Sequence, residues 1–322
     1  MSRMELKQRT LQVGAALLLG LASLAVTAQE KYPSRPIEFI VPWGPGGGAD
    51  QVARKAGKIM EEDLKISFPV VNAPGATGNT GMAKLLAAQA DGYSISIMTW
   101  DTYALLATSK TRWSLKDLVP VALMIKQPSS FLSAANGNLK TWADVEREAK
   151  VRPLKVAVTG FGSPDDITVN FFAARGLKLI SVPFANPGER YTSVLGGHAD
   201  LLYEQIGDVR SFVDSKQIQP VIVFSDKRFS VFPDVPASKE LGYDITLPQR
   251  RAVIVKAGTD AGRIKVLSDA LAKVAASAEY KAYLKEQYAS DDSYFSAQDA
   301  AKIMEEDFEQ MKRLVGPGAA AK

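Results

Sequence analysis

WGPGGGAD, Trp43 to Asp50, stands between a β-branched apolar run, PIEFIV (36–41), and a run with helical periodicity, QVARKAGKIMEEDL (51–64). Glycine loses more backbone freedom on folding than any other residue, so three in a row at a strand-to-helix junction must serve a close approach. Val52, Ala56, Ile59 and Met60 recur at i, i+4, i+7 and i+8, one face of a helix. The same arrangement follows at once: FPVV (68–71) reads as a second strand, NAPGATGNTG (72–81) as a second glycine-rich turn, and Met82, Leu85 and Leu86 as the apolar face of a second helix. YSISIM (93–98) is the third strand. Each Pro-Gly loop thus lies at the carboxyl end of a strand, the edge at which open α/β sheets bind ligands.

Further along, VPVALMI (119–125) reads as a linking strand. LKVAV (154–158), the loop TGFGSPDD (159–166), a helix from Ile167, LISVPF (179–184) and QPVIVF (219–224) read as a second α/β lobe. RAVIV (251–255) and helices between Ala261 and Leu314 return to the first lobe. The expected class is α/β, each lobe a mixed sheet flanked by helices, with lobe 1 spanning 29–130 plus 250–322 and lobe 2 spanning 131–249.

At the amino end, Arg3, Lys7 and Arg9 precede an apolar run, Leu11 to Val26, and Val26-Thr27-Ala28 carries small residues at positions −3 and −1 of a cleavage site. That pattern predicts a secretory signal peptide over 1–28, cut after Ala28, since the run is shorter than the ~20 residues of a spanning helix. Of 322 residues, 294 would remain, room for two lobes, and the formal charge would fall from +4 to +2. No dense run of Lys and Arg points to nucleic acid. There is no cysteine, which excludes disulfides and zinc-thiolate sites, and a single histidine, His198, which sits in the small polar turn LGGHAD (195–200) and reads as a solvated loop residue. No metal site or catalytic residue is expected, and the chain is not read as an enzyme.

Gly44, Gly46 and Ala49 match the G-x-G-x-x-G/A spacing of a dinucleotide fold, but the second strand ends in Val70-Val71-Asn72-Ala73, without the acidic residue that would hold a ribose hydroxyl. No Gly-Lys-Ser/Thr follows either loop, which excludes a P-loop, so no cofactor is expected. An anion site remains: amides of Gly46 to Ala49 and of Gly75 to Gly78 at helix starts, where unpaired donors and the helix dipole favour a carboxylate. Each loop read alone is equally a tight turn needing positive φ, and Asp50 and Asn79 are helix N-caps in that reading.

YPSRPIEFIVPWGPGGGAD (32–50), PVVNAPGATGNTG (69–81) with ADGYSISIM (90–98), LGGHADLLYE (195–204), and FPDVPASKELGYD (232–244) with KAGT (256–259) resemble the substrate-binding proteins of tripartite tricarboxylate transporters, the Bug or TctC-type family. The likeness runs from about Tyr32 to the carboxyl-terminal helices. It implies a periplasmic, monomeric, two-lobed protein of the Venus-flytrap kind, type II-like, which captures a small carboxylate or dicarboxylate and delivers it to membrane transporter subunits. It further implies ligand contacts at Gly46, Gly47, Gly48 and Ala49 in the first loop and at Ala76, Thr77, Gly78 and Asn79 in the second. The other end of the ligand would meet Gly162, Ser163, Phe184 and Asn186.

Two departures from the family pattern bear on the ligand. Ser163-Pro164 reads as an N-cap and first helical residue, but Asp166 stands where the family often has histidine; a carboxylate there either faces away or meets a hydroxyl or ammonium group. Arg250-Arg251 replaces a tryptophan-containing stretch, and reads either as a bidentate carboxylate clamp or as a solvated pair or interlobe ion pair. Trp43, Trp100 and Tyr203 are candidates for the walls of an apolar ligand body or for simple packing. The same fold also serves sensors of two-component receptors; a cofactor-independent hydrolase would need a serine placed by His198.

Overall fold

The computed structural model describes residues 31–108, 111–290 and 292–315. The predicted signal segment and its cut therefore lie outside the described residues. By contact the chain divides after Ser34, and the unit Arg35–Lys322 contains both sheets of the protein.

The first sheet is built by the doubled strand-loop-helix unit. β1 (Glu38–Val41) leads through the glycine loop into α1 (Gly48–Leu64), β2 (Val70–Asn72) leads into α2 (Asn79–Ala87), and β3 (Ser94–Thr99) runs directly into α3 (Trp100–Thr108). β1 pairs in parallel with both β2 and β3, with Phe39 opposite Val70 and Ile95. β4 (Leu118–Gln127) then carries the chain to the second sheet.

There β5 (Ser129–Ala134), α4 (Trp142–Val151), β6 (Leu154–Val158), α5 (Pro164–Ala173), β7 (Leu179–Pro183), α6 (Pro187–Leu195), β8 (Leu201–Gln205), α7 (Arg210–Asp214) and β9 (Ile218–Phe224) follow. The chain returns as β10 (Gln249–Lys256) and closes with α8 (Ala261–Ala276), α9 (Ala278–Glu286), β11 (Phe295–Ser296) and α10 (Ala297–Val315).

The strand orders are β11-β4-β10-β3-β1-β2 and β7-β6-β8-β5-β9. Each sheet thus holds three parallel strands ordered second-first-third, then one antiparallel strand from the chain's crossing, then a further strand antiparallel to it. This is the two-lobed α/β architecture, with a mixed sheet flanked by helices in each lobe. The carboxyl ends of the parallel strands in both sheets feed the loops that meet between the lobes.

Every strand expected from the apolar runs is present, shifted by at most two residues at its ends. The alternation did not point to β5, β8 and β11, or to α3, α4, α6 and α7. β5 reads SSFLSA, a sequence of low β-propensity, yet its serines are buried, and two of them are tied down: Ser129 Oγ donates to Leu247 O and Ser133 Oγ to Leu139 O. Its Phe131 is the hub of an aromatic cluster with Phe224 (5.0 Å between centroids), Phe172, Tyr203 and Trp142. Burial of those rings outweighs the weak local preference.

Candidate functional site

The glycine loop enters α1 without a side-chain cap. Gly47 is the N-cap residue, and the first-turn amides of Gly48 and Ala49 have no acceptor among the described residues. What fixes the loop is Asp50. Its Oδ2 accepts from Gly46 N (3.0 Å) and Arg54 Nε (2.9 Å), and its Oδ1 accepts from Asn72 Nδ2 (3.0 Å). Burial alone would raise this carboxyl; the Arg54, Gly46 and Asn72 hydrogen bonds together hold it below the ordinary aspartate value. Gly46, at φ 83°, is exposed and spends its amide on Asp50, so it is a hinge of the turn.

The lobes are shut over this loop. A Cβ on Gly47 would lie 2.8 Å from Pro187 Cγ of the second lobe, and one on Gly48 would lie 2.1 Å from Asp208 Oδ2. Only glycine allows the helix start so close to the opposite lobe. The space between them holds about 30 Å³, room for about two waters, so a larger guest needs the lobes further apart.

Gly47, Gly48 and Ala49 line this space from the first lobe, together with Trp43, Thr99 and Asp101. The second lobe supplies Thr159, Asp165, Pro187, Arg190, Tyr191, Glu204, Gln205 and Asp208, while Gln249 and Arg251 reach in from the start of β10. Two ion pairs are wholly buried, Arg190–Glu204 and Arg251–Asp208. Arg251 also donates to Gln205 Oε1 and Gln127 Oε1, so it is an interlobe ion pair and a wall of the cavity at once. Burial pushes Asp208 up to about 6 despite the adjoining Arg251 charge. Burial, reinforced by Asp101, pushes Asp165 well above the carboxylate range, against the pull of Arg190 and the Thr159 amide.

Several buried donors here have no partner. Arg190 Nε and Nη1, Arg251 Nε and the Tyr191 hydroxyl are all without an acceptor. An unmet buried donor costs about 1–3 kcal/mol, more when charged, and three such side chains around one small space mark it as built for an acceptor.

The remaining expected contacts lie around this cavity rather than on it. Ala76, Thr77 and Gly78 form a short turn with φ of 48°, 52° and 88° in succession, and Thr77 packs against Gly160 across the lobes. Asn79 Oδ1 accepts from Trp113 Nε1. Gly162 N donates to Asp166 Oδ2, and Thr108 Oγ1 donates to Gly162 O from the opposite lobe. Ser163 caps α5, its Oγ accepting from Asp166 N and donating to Gly160 O. Asp166 is occupied by Gly162 N and by Ser181 Oγ (2.7 Å); its neighbour Asp165 faces the cavity instead. Phe184 is half-buried in the second-lobe core, and Asn186 caps α6 at the cleft rim, accepting from Gly188 N.

Arg250 pairs with Asp307, which also accepts from Trp100 Nε1, while Trp43 Nε1 donates to Thr99 Oγ1. His198 is exposed. Sequence reasoning did not reach Asp101, Asp165, Arg190, Tyr191, Glu204 or Asp208. They come from four separate stretches of chain, Asp101, Asp165, Arg190-Tyr191 and Glu204 to Asp208, and only the topology gathers them.

The family model for the tripartite tricarboxylate transporter family receptor, TctC, matches residues 52–317. BugT of Bordetella pertussis is 28% identical over 254 residues, covering 76% of this chain and 77% of that protein. A TctC solute-binding protein from Polaromonas superposes with a TM-score of 0.63 at 28% identity, over 88% of this chain and 99% of its own. MatC of Rhodopseudomonas palustris, solved with bound malate, shares the fold with a TM-score of 0.81 at 21% identity, over 88% of this chain and all of its own (100%).

Proposed function

The chain belongs to the tripartite tricarboxylate transporter family receptors, TctC, and from that premise we propose that it is a periplasmic solute-binding protein. In this reading it captures a small carboxylate between its lobes and presents it to the membrane subunits of a tripartite transporter. The observation that carries the proposal is the ring of buried, unmet donors from Arg190, Tyr191 and Arg251 on a cavity onto which the uncapped start of α1 also opens. Bound malate in MatC agrees in chemical class.

The proposal takes 29–130 plus 250–322 as one lobe and 131–249 as the other. The hinge then falls at the passage from β4 to β5 and at the entry to β10. Ligand bridging the lobes favours the shut state by its differential affinity, and the shut surface is what the membrane subunits read. Of the expected loop contacts, Gly47, Gly48 and Ala49 belong to the carboxylate site. Ala76, Thr77, Gly78, Asn79, Gly162, Ser163, Phe184 and Asn186 shape the closing rim.

Thermal denaturation and calorimetry with a panel of small carboxylates test this. A ligand at a hundred times its Kd stabilises by about 2.7 kcal/mol and is recovered unchanged. A panel without any stabilising carboxylate, or consumption of the one that binds, sinks it. Loss of uptake in a deletion strain tests delivery.

A further inference from the structure

We infer that the ligand is an aminocarboxylate, its carboxylate on the free donors of Arg190, Tyr191 and Arg251 and its ammonium group between Asp101 and Asp165; this deepens the capture reading above and rests on it. The cavity is walled by four carboxylates and two guanidinium groups. Glu204 is matched by Arg190 and Asp208 by Arg251. Asp101 and Asp165, only 4% and 2% exposed, are left without a cation of their own.

These two come from opposite lobes, Asp101 from the first turn of α3 and Asp165 from the first turn of α5. The shut state brings both to one hydroxyl: Thr159 Oγ1 is 2.9 Å from Asp165 Oδ2 and 3.4 Å from Asp101 Oδ1. A hydroxyl has one hydrogen and satisfies one of them. The helix starts beneath them offset roughly half a charge each, and burial together with Asp101 favours the protonated form of Asp165, so the pair holds a proton whose place a cationic group can take. Burying unpaired charge is costly, and a dicarboxylate would add more of the same sign.

An ammonium group reverses that balance. It brings one positive charge and three donors to a place where two carboxylates converge, and Gln249 Nε2, at 2.5 Å from Asp101 Oδ2, already fixes one of them. The side chains that carry the unmet donors line the same cavity, so one small molecule with both groups answers both imbalances. With that cation in place both carboxylates can ionise between the closed lobes, so the ammonium favours the shut state.

Titration calorimetry on the binding protein with matched pairs decides the matter: L-aspartate against succinate, L-glutamate against glutarate, and the remaining protein amino acids against carboxylates without nitrogen. The expected result is an amino acid that binds about tenfold to a hundredfold tighter than its nitrogen-free partner, as charge-assisted hydrogen bonds warrant. Asp165→Asn and Asp101→Asn, checked for folding by circular dichroism, should bring that ratio close to one. Succinate or another nitrogen-free acid binding as well as its amino partner in the unmodified protein overturns the inference and leaves carboxylate capture standing. Silence from both sets removes the capture reading and the inference together.

Discussion

The first lobe meets the cleft with the backbone of one glycine loop beside two charged side chains, Asp101 and Arg251, the second almost entirely with side chains, four of them carboxyl or guanidinium groups. Their sheets have the same order of parallel strands and the same inserted antiparallel strand, yet Gly47 to Ala49 bring amides to the cavity, whereas Asp165, Arg190, Glu204 and Asp208 bring charges. A backbone site demands glycine, which is visible in sequence. A site of single charged residues, scattered along the chain, demands nothing that a linear pattern shows.

If the second lobe's role is ionic, Arg190→Leu should have the largest effect on the protein. It strands Glu204 in the interior, and the unfolding free energy should fall by about 3–5 kcal/mol in a urea titration. Pairing it with Glu204→Leu should restore most of the stability and none of the binding. Wild-type stability in the single variant would mean that the pair is not buried as described.

The pH profile of the ligand-free protein tests the same contrast. Asp208 rises from 3.8 to about 6 on folding, so the folded state binds the extra proton between these values. Stability is therefore greatest at the acid end of this window and falls as pH rises through it, by at most about 3 kcal/mol. Asp165, also raised, extends the fall upward, while Asp50, which is lowered, acts only below the window. Melting temperatures rising between pH 4 and 6 would contradict this.

On the first lobe, Asp50→Ala removes the clasp on Gly46, Arg54 and Asn72 and should cost about 2 kcal/mol of stability. Gly47→Val should do the reverse: its side chain meets Pro187, so closure suffers more than folding. Affinity should drop about tenfold, or about 1.4 kcal/mol, with the melting temperature shifted by a degree or two. Equal losses of binding and stability would mean that the loop is only a turn.

Much of the first lobe was legible for a physical reason. The doubled strand-loop-helix unit repeats a β-branched apolar run, a glycine cluster and a period-3.6 run, and the structure follows all three. Arg250-Arg251 was legible only as a choice between clamp, solvated pair and interlobe ion pair, because the strand pattern does not say which way either side chain turns; in the fold Arg251 pairs with Asp208 and Arg250 with Asp307. β5 was hidden, since SSFLSA owes its strand state to hydrogen bonds and rings far away in the chain. Asp165 was hidden behind Asp166: capping chemistry explains both equally well in sequence, and only the turn of α5 decides which faces the cleft.

The most direct measurement is a crystal structure of the protein with the tightest ligand of the calorimetric panel. The account predicts a carboxylate within hydrogen-bonding distance of the Gly48 and Ala49 amides and of the Arg190 guanidinium, between closed lobes. A ligand lodged elsewhere, with those donors still unmet, would contradict it.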